Sequence, residues 1–271
     1  MCKAVSFIRG STWWLGLAVS LLGLASTQAE AQSCHAASLR PTDGLTYRVA
    51  ASAVLGSYDT AAVSGEYQGL FLTATLSHPW FTAEVALPGY RMAETGRHAY
   101  GLGDVLVSAR GNLYRSTDQH WLAGPELAAT LPSGRAEDGL GMGHVMLMPG
   151  GFVQWRHAGF AVITQLAYGR ALGSMDHAAH GDGPFPIVNP MNRSELTHAI
   201  GVSATVHPNL HVTGRLLGAV TLFDHAGAAR EIVAPGLQFI AGAFDAALEI
   251  QLPVVGNPFS SRTVASIGAQ W

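Results

Sequence analysis

The chain is 271 residues long, carries a formal net charge of −3 at pH 7, and has only 12% charged residues. A soluble domain carries about a quarter charged residues, so an ordinary water-soluble surface is disfavoured. The near-neutral balance also excludes a general role in binding polyanions such as nucleic acid.

The amino terminus predicts export from the cytoplasm. Lys3 and Arg9 precede an apolar run at 13–25, and Ala29-Glu30-Ala31 supplies the small residues that a signal peptidase reads. We therefore predict a signal peptide at 1–31. The run is too short for a membrane anchor. Cleavage leaves Cys34 as the only cysteine, so no internal disulfide is expected. Residues 32–44 are interpreted as a short periplasmic segment.

The stretch from Asp104 to Leu131 reads as two arms, each about ten residues long, joined by a short polar break. Apolar and polar residues alternate in both arms, which gives each predicted strand one face of each kind. About ten residues is the length that a tilted strand needs to cross a bilayer. The hairpin therefore indicates either a membrane barrel or a long-stranded soluble domain.

Repetition of this pattern favours the barrel. Twelve candidate strands follow one another, at 45–56, 66–77, 80–88, 101–115, 120–132, 143–156, 159–171, 194–206, 209–222, 230–241, 243–254 and 262–271. Short connections alternate with longer ones, including 89–100 and 173–193, as periplasmic turns and outer loops do in bacterial barrels. We predict an all-β fold, an antiparallel transmembrane β-barrel of about 12 strands at 45–271, in the bacterial outer membrane.

Aromatic residues recur at the predicted periplasmic ends of the strands. Rings of this kind settle at the membrane–water interface and form a girdle. The predicted girdle comprises Trp80, Phe81, Trp121, Trp155, Phe244 and Trp271. The aromatic carboxyl terminus also resembles the terminal strand that barrel-insertion machinery recognises, so this machinery and outer-membrane lipid are the expected partners.

Three glycine-turn motifs carry a family resemblance. They are Gly101-Leu-Gly-Asp104, Gly124-Pro-Glu-Leu127 leading to Leu131-Pro-Ser-Gly134, and Gly139-Leu-Gly-Met-Gly143. With these motifs, residues 45–271 resemble the outer-membrane barrels grouped as meta-pathway phenol degradation proteins. The resemblance implies a transporter-like barrel that passes hydrophobic or aromatic small molecules, and it supplies no catalytic residues.

Strand alternation places nine charged side chains in the lumen. These predicted lumen or selectivity residues are Arg48, Glu84, Asp104, Arg110, Glu126, Arg156, Arg215, Asp245 and Glu249. Opposite charges facing one another could pair and rigidify the interior, or they could form a polar constriction that selects solutes. Twelve strands lie between a filled eight-stranded barrel and an open porin, so a narrow path is expected.

The longest loop contains a potential metal site. Met175, Asp176, His177, His180 and Asp182 combine imidazole, carboxylate and thioether groups that could hold copper or zinc. His144, Met146 and Met148 share one strand face and could extend such a route. A solvated glycine-rich loop without metal is the alternative interpretation.

These observations predict a passive outer-membrane channel for small, hydrophobic or aromatic molecules, without a resident cofactor. An outer-membrane component of copper or other metal handling, using 175–182, is the first alternative. A secreted soluble β-sandwich that binds a ligand is the second. The sequence contains no Gly-x-Ser-x-Gly, no His-Glu-x-x-His and no phosphate-binding glycine loop, so an enzyme is not expected.

Overall fold

The computed structural model describes residues 44–59, 64–94, 96–173, 191–222, 229–256 and 259–271. The predicted signal peptide and all but the last residue of the segment 32–44 lie outside the described residues. One turn of 3-10 helix occurs at Ala136–Asp138, and the strands are β1 (Thr46–Asp59), β2 (Ser64–His78), β3 (Phe81–Glu94), β4 (Arg97–Leu102), β5 (Val105–Gly111), β6 (Tyr114–Arg115), β7 (Trp121–Leu131), β8 (Val145–His157), β9 (Phe160–Leu172), β10 (Ser194–His207), β11 (Leu210–Thr221), β12 (Arg230–Ala241), β13 (Phe244–Val255) and β14 (Ser261–Gln270).

These strands form a closed antiparallel barrel. Apart from β4, β5 and β6, each strand pairs with its neighbours in chain order, and β1 pairs with β14 from Arg48 opposite Gln270 to Ser57 opposite Ser261. β4 and β5 pair in succession with β3, while β5 and β6 pair in succession with β7, so the three occupy one interrupted strand position. The prediction of a twelve-stranded antiparallel barrel is confirmed. Among the described residues, no helix is both long and apolar enough to span a membrane.

The outer face of the barrel is apolar and the inner face is largely polar. In β13, Leu248 and Ile250 point outward and remain 48% and 47% exposed, whereas Asp245, Glu249 and Gln251 point inward and are buried. A soluble sandwich would bury the apolar face. Because hydrocarbon cannot satisfy polar groups, the reverse arrangement is the one suited to a bilayer. This arrangement is inconsistent with the soluble-sandwich alternative.

Exposed aromatic rings gather at the end of the barrel that has the short turns. Trp121 and Trp155 have ring centroids 6.4 Å apart, and Tyr47 stacks with Trp271 at 6.5 Å. The other predicted girdle residues at this end are Trp80, Phe81 and Phe244. The short turns of bacterial barrels lie on the periplasmic side. β1 also begins and β14 ends at this end of the barrel, so we assign it to the periplasm.

The region 89–115 differs from the sequence prediction in two ways. The predicted loop 89–100 is mostly strand, because β3 continues to Glu94 and β4 begins at Arg97. The predicted strand 101–115 is interrupted twice, at 103–104 and at 112–113. At the first break a Cβ on Gly103 would overlap the Tyr90 ring, so only glycine allows the chain to pass this close.

The missed strand extension has a clear physical cause. Tyr90, Met92 and Ala99 point inward and are buried, while Arg91 and His98 point outward. Above the bilayer the outer face meets water, so the pattern inverts to apolar inside and polar outside. A search for strands with apolar outward faces therefore does not detect this extension.

Candidate functional site

The lumen near the long loops is filled by apolar side chains. Two buried clusters lie there, and a single loop between β7 and β8 contributes Leu140 to one and Met142 to the other. Met191 precedes β10 and Phe259 precedes β14, and both are also buried. We call these four loop residues and the wall residues around them the apolar plug; its principal wall residues are Tyr58, Tyr67, Phe71, Tyr90, Met92, Met146 and Met148.

A single carboxylate holds the loop 132–144 inside the barrel. Asp104 accepts hydrogen bonds from the backbone N–H of Gly134 at 3.0 Å and of Met142 at 2.7 Å. The Ser133 hydroxyl donates to the Gly103 carbonyl at 2.8 Å and accepts from the Val105 N–H at 2.9 Å. Both ends of the loop are thereby fixed to the break between β4 and β5. Asp104 is therefore a clamp for the plug, since its oxygens are engaged by backbone donors.

Six of the nine predicted lumen residues form three ion pairs. Arg215 binds Glu249 through two hydrogen bonds of 2.6 and 2.7 Å, and Arg48 binds Asp245 through two bonds of 2.8 and 3.1 Å. Arg110 contacts Glu126 at 3.3 Å, and the same carboxylate accepts a bond from Gln165 at 2.9 Å. The paired charges cancel locally, as the rigidifying interpretation expects; their role in solute selection stays a prediction.

The remaining predicted lumen residues have different surroundings. Glu84 accepts a hydrogen bond from the Thr75 hydroxyl at 3.1 Å, within the barrel wall. Asp104 clamps the loop, as described. Arg156 lies at the periplasmic mouth, where it lines a cavity of about 330 Å³. Three predicted lumen charges thus stand outside the three ion pairs.

Sequence reasoning missed a second set of charged groups near the loops. Arg230 forms two 3.1 Å hydrogen bonds with the buried Glu195, and His198 Nε2 lies 2.9 Å from Glu231. Arg262 stacks over the Phe259 ring at 4.3 Å, beside the plug. These residues lie at or near the ends of their strands, where only a few residues of the alternating pattern are available. Glu195, Arg230 and Arg262 continue the inward phase of their strands, which was the available signal. His198 and Glu231 lie in the outward phase, level with Leu166 and Gly218 on the neighbouring strands.

The predicted metal loop 175–182 lies outside the described residues. Within the ranges that the structure does describe, no group of three or more His, Cys, Asp or Glu side chains could hold a metal ion. His144, Met146 and Met148 do share the inward face, and all three are buried. The two methionines belong to the apolar plug.

Comparisons with known proteins agree with this geometry. The chain is similar to a solved outer membrane channel from Pseudomonas putida, with 12% identity and a TM-score of 0.63 over 90% of this chain and 100% of the other. The chain has the fold of an outer-membrane β-barrel. It is also similar to the NanC porin, with 13% identity and a TM-score of 0.56 over 82% and 97% of the two chains.

A TodX monoaromatic hydrocarbon channel variant covers 92% of this chain and 95% of its own, but with 9% identity and a TM-score of only 0.42. Neither a protein-family model nor a curated protein matches the sequence. Identities this low establish the shared barrel fold alone, so function has to be argued from the lumen.

Proposed function

We propose that this outer-membrane barrel is a passive channel for small hydrophobic molecules, including aromatic ones. The observation that carries the proposal is the apolar plug, which lies inside the lumen where a water-filled pore would have polar walls. Folding places Met92, Met146 and Phe259 there with almost no exposure. A hydrated solute would have to shed water against these walls, whereas an apolar solute gains by burial.

The chemistry of the plug suits varied apolar ligands. Met142, Met146 and Met191 supply flexible, polarisable thioethers, which adapt to ligands of different shape and contact aromatic rings favourably. The Phe71 and Tyr90 rings meet edge to face at 5.5 Å, a geometry that an aromatic ligand could join. Both features support aromatic substrates.

The proposals on aromatic cargo and on barrel insertion rest on the sequence. The three glycine motifs resemble the meta-pathway phenol degradation barrels, which favours aromatic compounds as cargo. We assign no catalytic role, since a conduit of this kind only has to bind and release its cargo. The aromatic terminus at Trp271 is proposed to be read by barrel-insertion machinery, with outer-membrane lipid around the finished barrel.

Binding and entry of a hydrophobic fluorophore test the proposal. N-phenyl-1-naphthylamine should bind the purified wild-type barrel saturably, and its fluorescence should rise faster in intact cells that contain the barrel. Met146→Gln keeps the length of the side chain but adds an amide to the plug, where an unpaired polar group is costly. We expect this variant to weaken binding and slow entry several-fold.

The matched control lies one residue away on the same strand. Leu147 faces outward, so Leu147→Gln should fold and leave both signals near the wild-type level. Gel mobility of unboiled samples checks that both variants form closed barrels. Equal effects of the two substitutions would place the probe on the outer surface and refute the proposal.

A further inference from the structure

The periplasmic mouth of the lumen contains an electropositive cavity. It has a volume of about 330 Å³ and includes Arg156, His120, His211, Ser203 and Gln238 in its wall. Among the residues that the structure describes, no aspartate or glutamate lines it. We call this cavity the periplasmic vestibule.

Arg156 differs from the arginines of the ion pairs. Arg48, Arg110, Arg215 and Arg230 each meet a carboxylate, whereas Arg156 has no ion pair among the described residues. Its neighbour of opposite polarity is the neutral amide oxygen of Gln154. Its positive charge is therefore uncompensated by the protein.

A second arginine adds to the positive potential. Arg115 lies close enough to Arg156 for the two guanidinium groups to repel each other. Arg115 contacts the Pro79 carbonyl at 3.4 Å and, within the described ranges, has no carboxylate partner. Arg115 is exposed and lies outside the vestibule wall, so its charge adds to the positive potential near the cavity, which favours an incoming anion.

The nearby carboxylate of Asp118 is committed to its own turn. It accepts hydrogen bonds from the Ser116 hydroxyl and the His120 N–H, and it contacts the His120 ring at 3.1 Å. These bonds, that of Ser116 first, hold the pKa of Asp118 below its ordinary value, so the group is ionised at neutral pH. This carboxylate contacts His120 and does not line the vestibule.

The vestibule wall also presents an unsatisfied donor. Gln238 is only 3% exposed, yet its Nε2 has no hydrogen-bond partner among the described residues. A buried amide of this kind costs stability unless a ligand or solvent accepts a hydrogen bond from its N–H. A carboxylate between Arg156 and Gln238 would satisfy this donor and neutralise the guanidinium through a charge-assisted hydrogen bond.

We propose that the periplasmic vestibule binds the carboxylate of hydrophobic acids, meaning short fatty acids or aromatic acids, on their way through the barrel. This inference rests on the proposed function, because the apolar part of the ligand is taken to enter through the plug. The vestibule then supplies an attractive charge at the exit, which steers anionic amphiphiles over neutral ones.

Octanoate and octanol share an eight-carbon chain but differ in charge. Comparing their binding therefore separates the effect of the carboxylate from that of the apolar tail. Calorimetric titration of the purified barrel in lipid nanodiscs should show tighter binding of octanoate than of octanol. Arg156→Gln should weaken octanoate about ten-fold, since a hydrogen bond to a charged group is lost, and leave octanol unchanged. Gln238→Leu, which removes the amide donor, should weaken octanoate by a smaller factor.

Arg97→Gln is the control, because Arg97 is exposed at the opposite end of the barrel and should not affect either ligand. Equal binding of octanoate and octanol by the wild type, or no effect of Arg156→Gln and Gln238→Leu, would overturn the vestibule inference and leave the channel proposal standing. Inorganic phosphate displacing octanoate at equal concentration would also overturn it, as a site for small anions only. Failure of both octanoate and octanol to bind would instead refute the channel proposal.

Discussion

Asp104→Ala should open the barrel to small ions. The substitution removes the acceptor of the Gly134 and Met142 backbone N–H groups, each bond to the ionised carboxylate contributing about 1.5–3 kcal/mol. Without the clamp the loop 132–144 loses its attachment, and Leu140 and Met142 leave the lumen. Single-channel recordings in planar bilayers should show conductance several-fold above that of the wild type.

The same loop offers a matched control. Asp138 forms a surface ion pair with Arg135 at 2.8 Å, and exposed pairs contribute only about 0.2–1 kcal/mol. Asp138→Ala should therefore leave conductance unchanged. A correctly folded Asp104→Ala barrel with wild-type conductance would show that the loop is held by its apolar contacts alone, and that the clamp is dispensable.

Leu248→Arg should impair insertion into lipid. Leu248 lies near the middle of β13, faces outward and pairs with Leu237 and Ala265 on the neighbouring strands. An arginine on the lipid face costs about 2–4 kcal/mol at the bilayer midplane, falling to about 0–1 near the interfaces. Refolding into phospholipid vesicles, followed by gel mobility of unboiled samples, should give a much lower folded fraction than the wild type.

A second outward residue on the same strand provides a control for depth in the bilayer. Val254 lies near the loop end of β13 and is 60% exposed. Val254→Arg should fold with nearly wild-type yield because its guanidinium reaches the interface. Equal loss of folding in both variants would mean that the outer face is not a graded bilayer surface.

The membrane-embedded part of the fold was predictable because lipid imposes a strict rule. Every outward position from Phe244 to Leu252 is apolar, and β13 appears within one residue of its predicted bounds. The same rule explains why the strand residues at 89–100 were predicted to be a loop. Tyr90 and Met92 face inward above the bilayer, where the requirement for an apolar exterior no longer applies.

The candidate site was less accessible to sequence reasoning, since it depends on contacts between distant residues. Alternation placed Arg215 and Glu249 in the lumen but could not say that they bind each other. The plug is assembled from three separate loops, and no local pattern requires Leu140 to turn inward. One signal was present: large apolar residues alternate with glycine at 139–143, which is unusual for a loop in water.

The central claim is that apolar molecules occupy the lumen at the plug. Soaking crystals of the barrel with 1-bromonaphthalene and recording anomalous scattering at the bromine edge tests it most directly. We predict a bromine peak inside the barrel, in contact with Met146, Phe71 or Tyr90. Bromine confined to the apolar hollow on the outer face between Leu72 and Phe239, with none in the lumen, would contradict it.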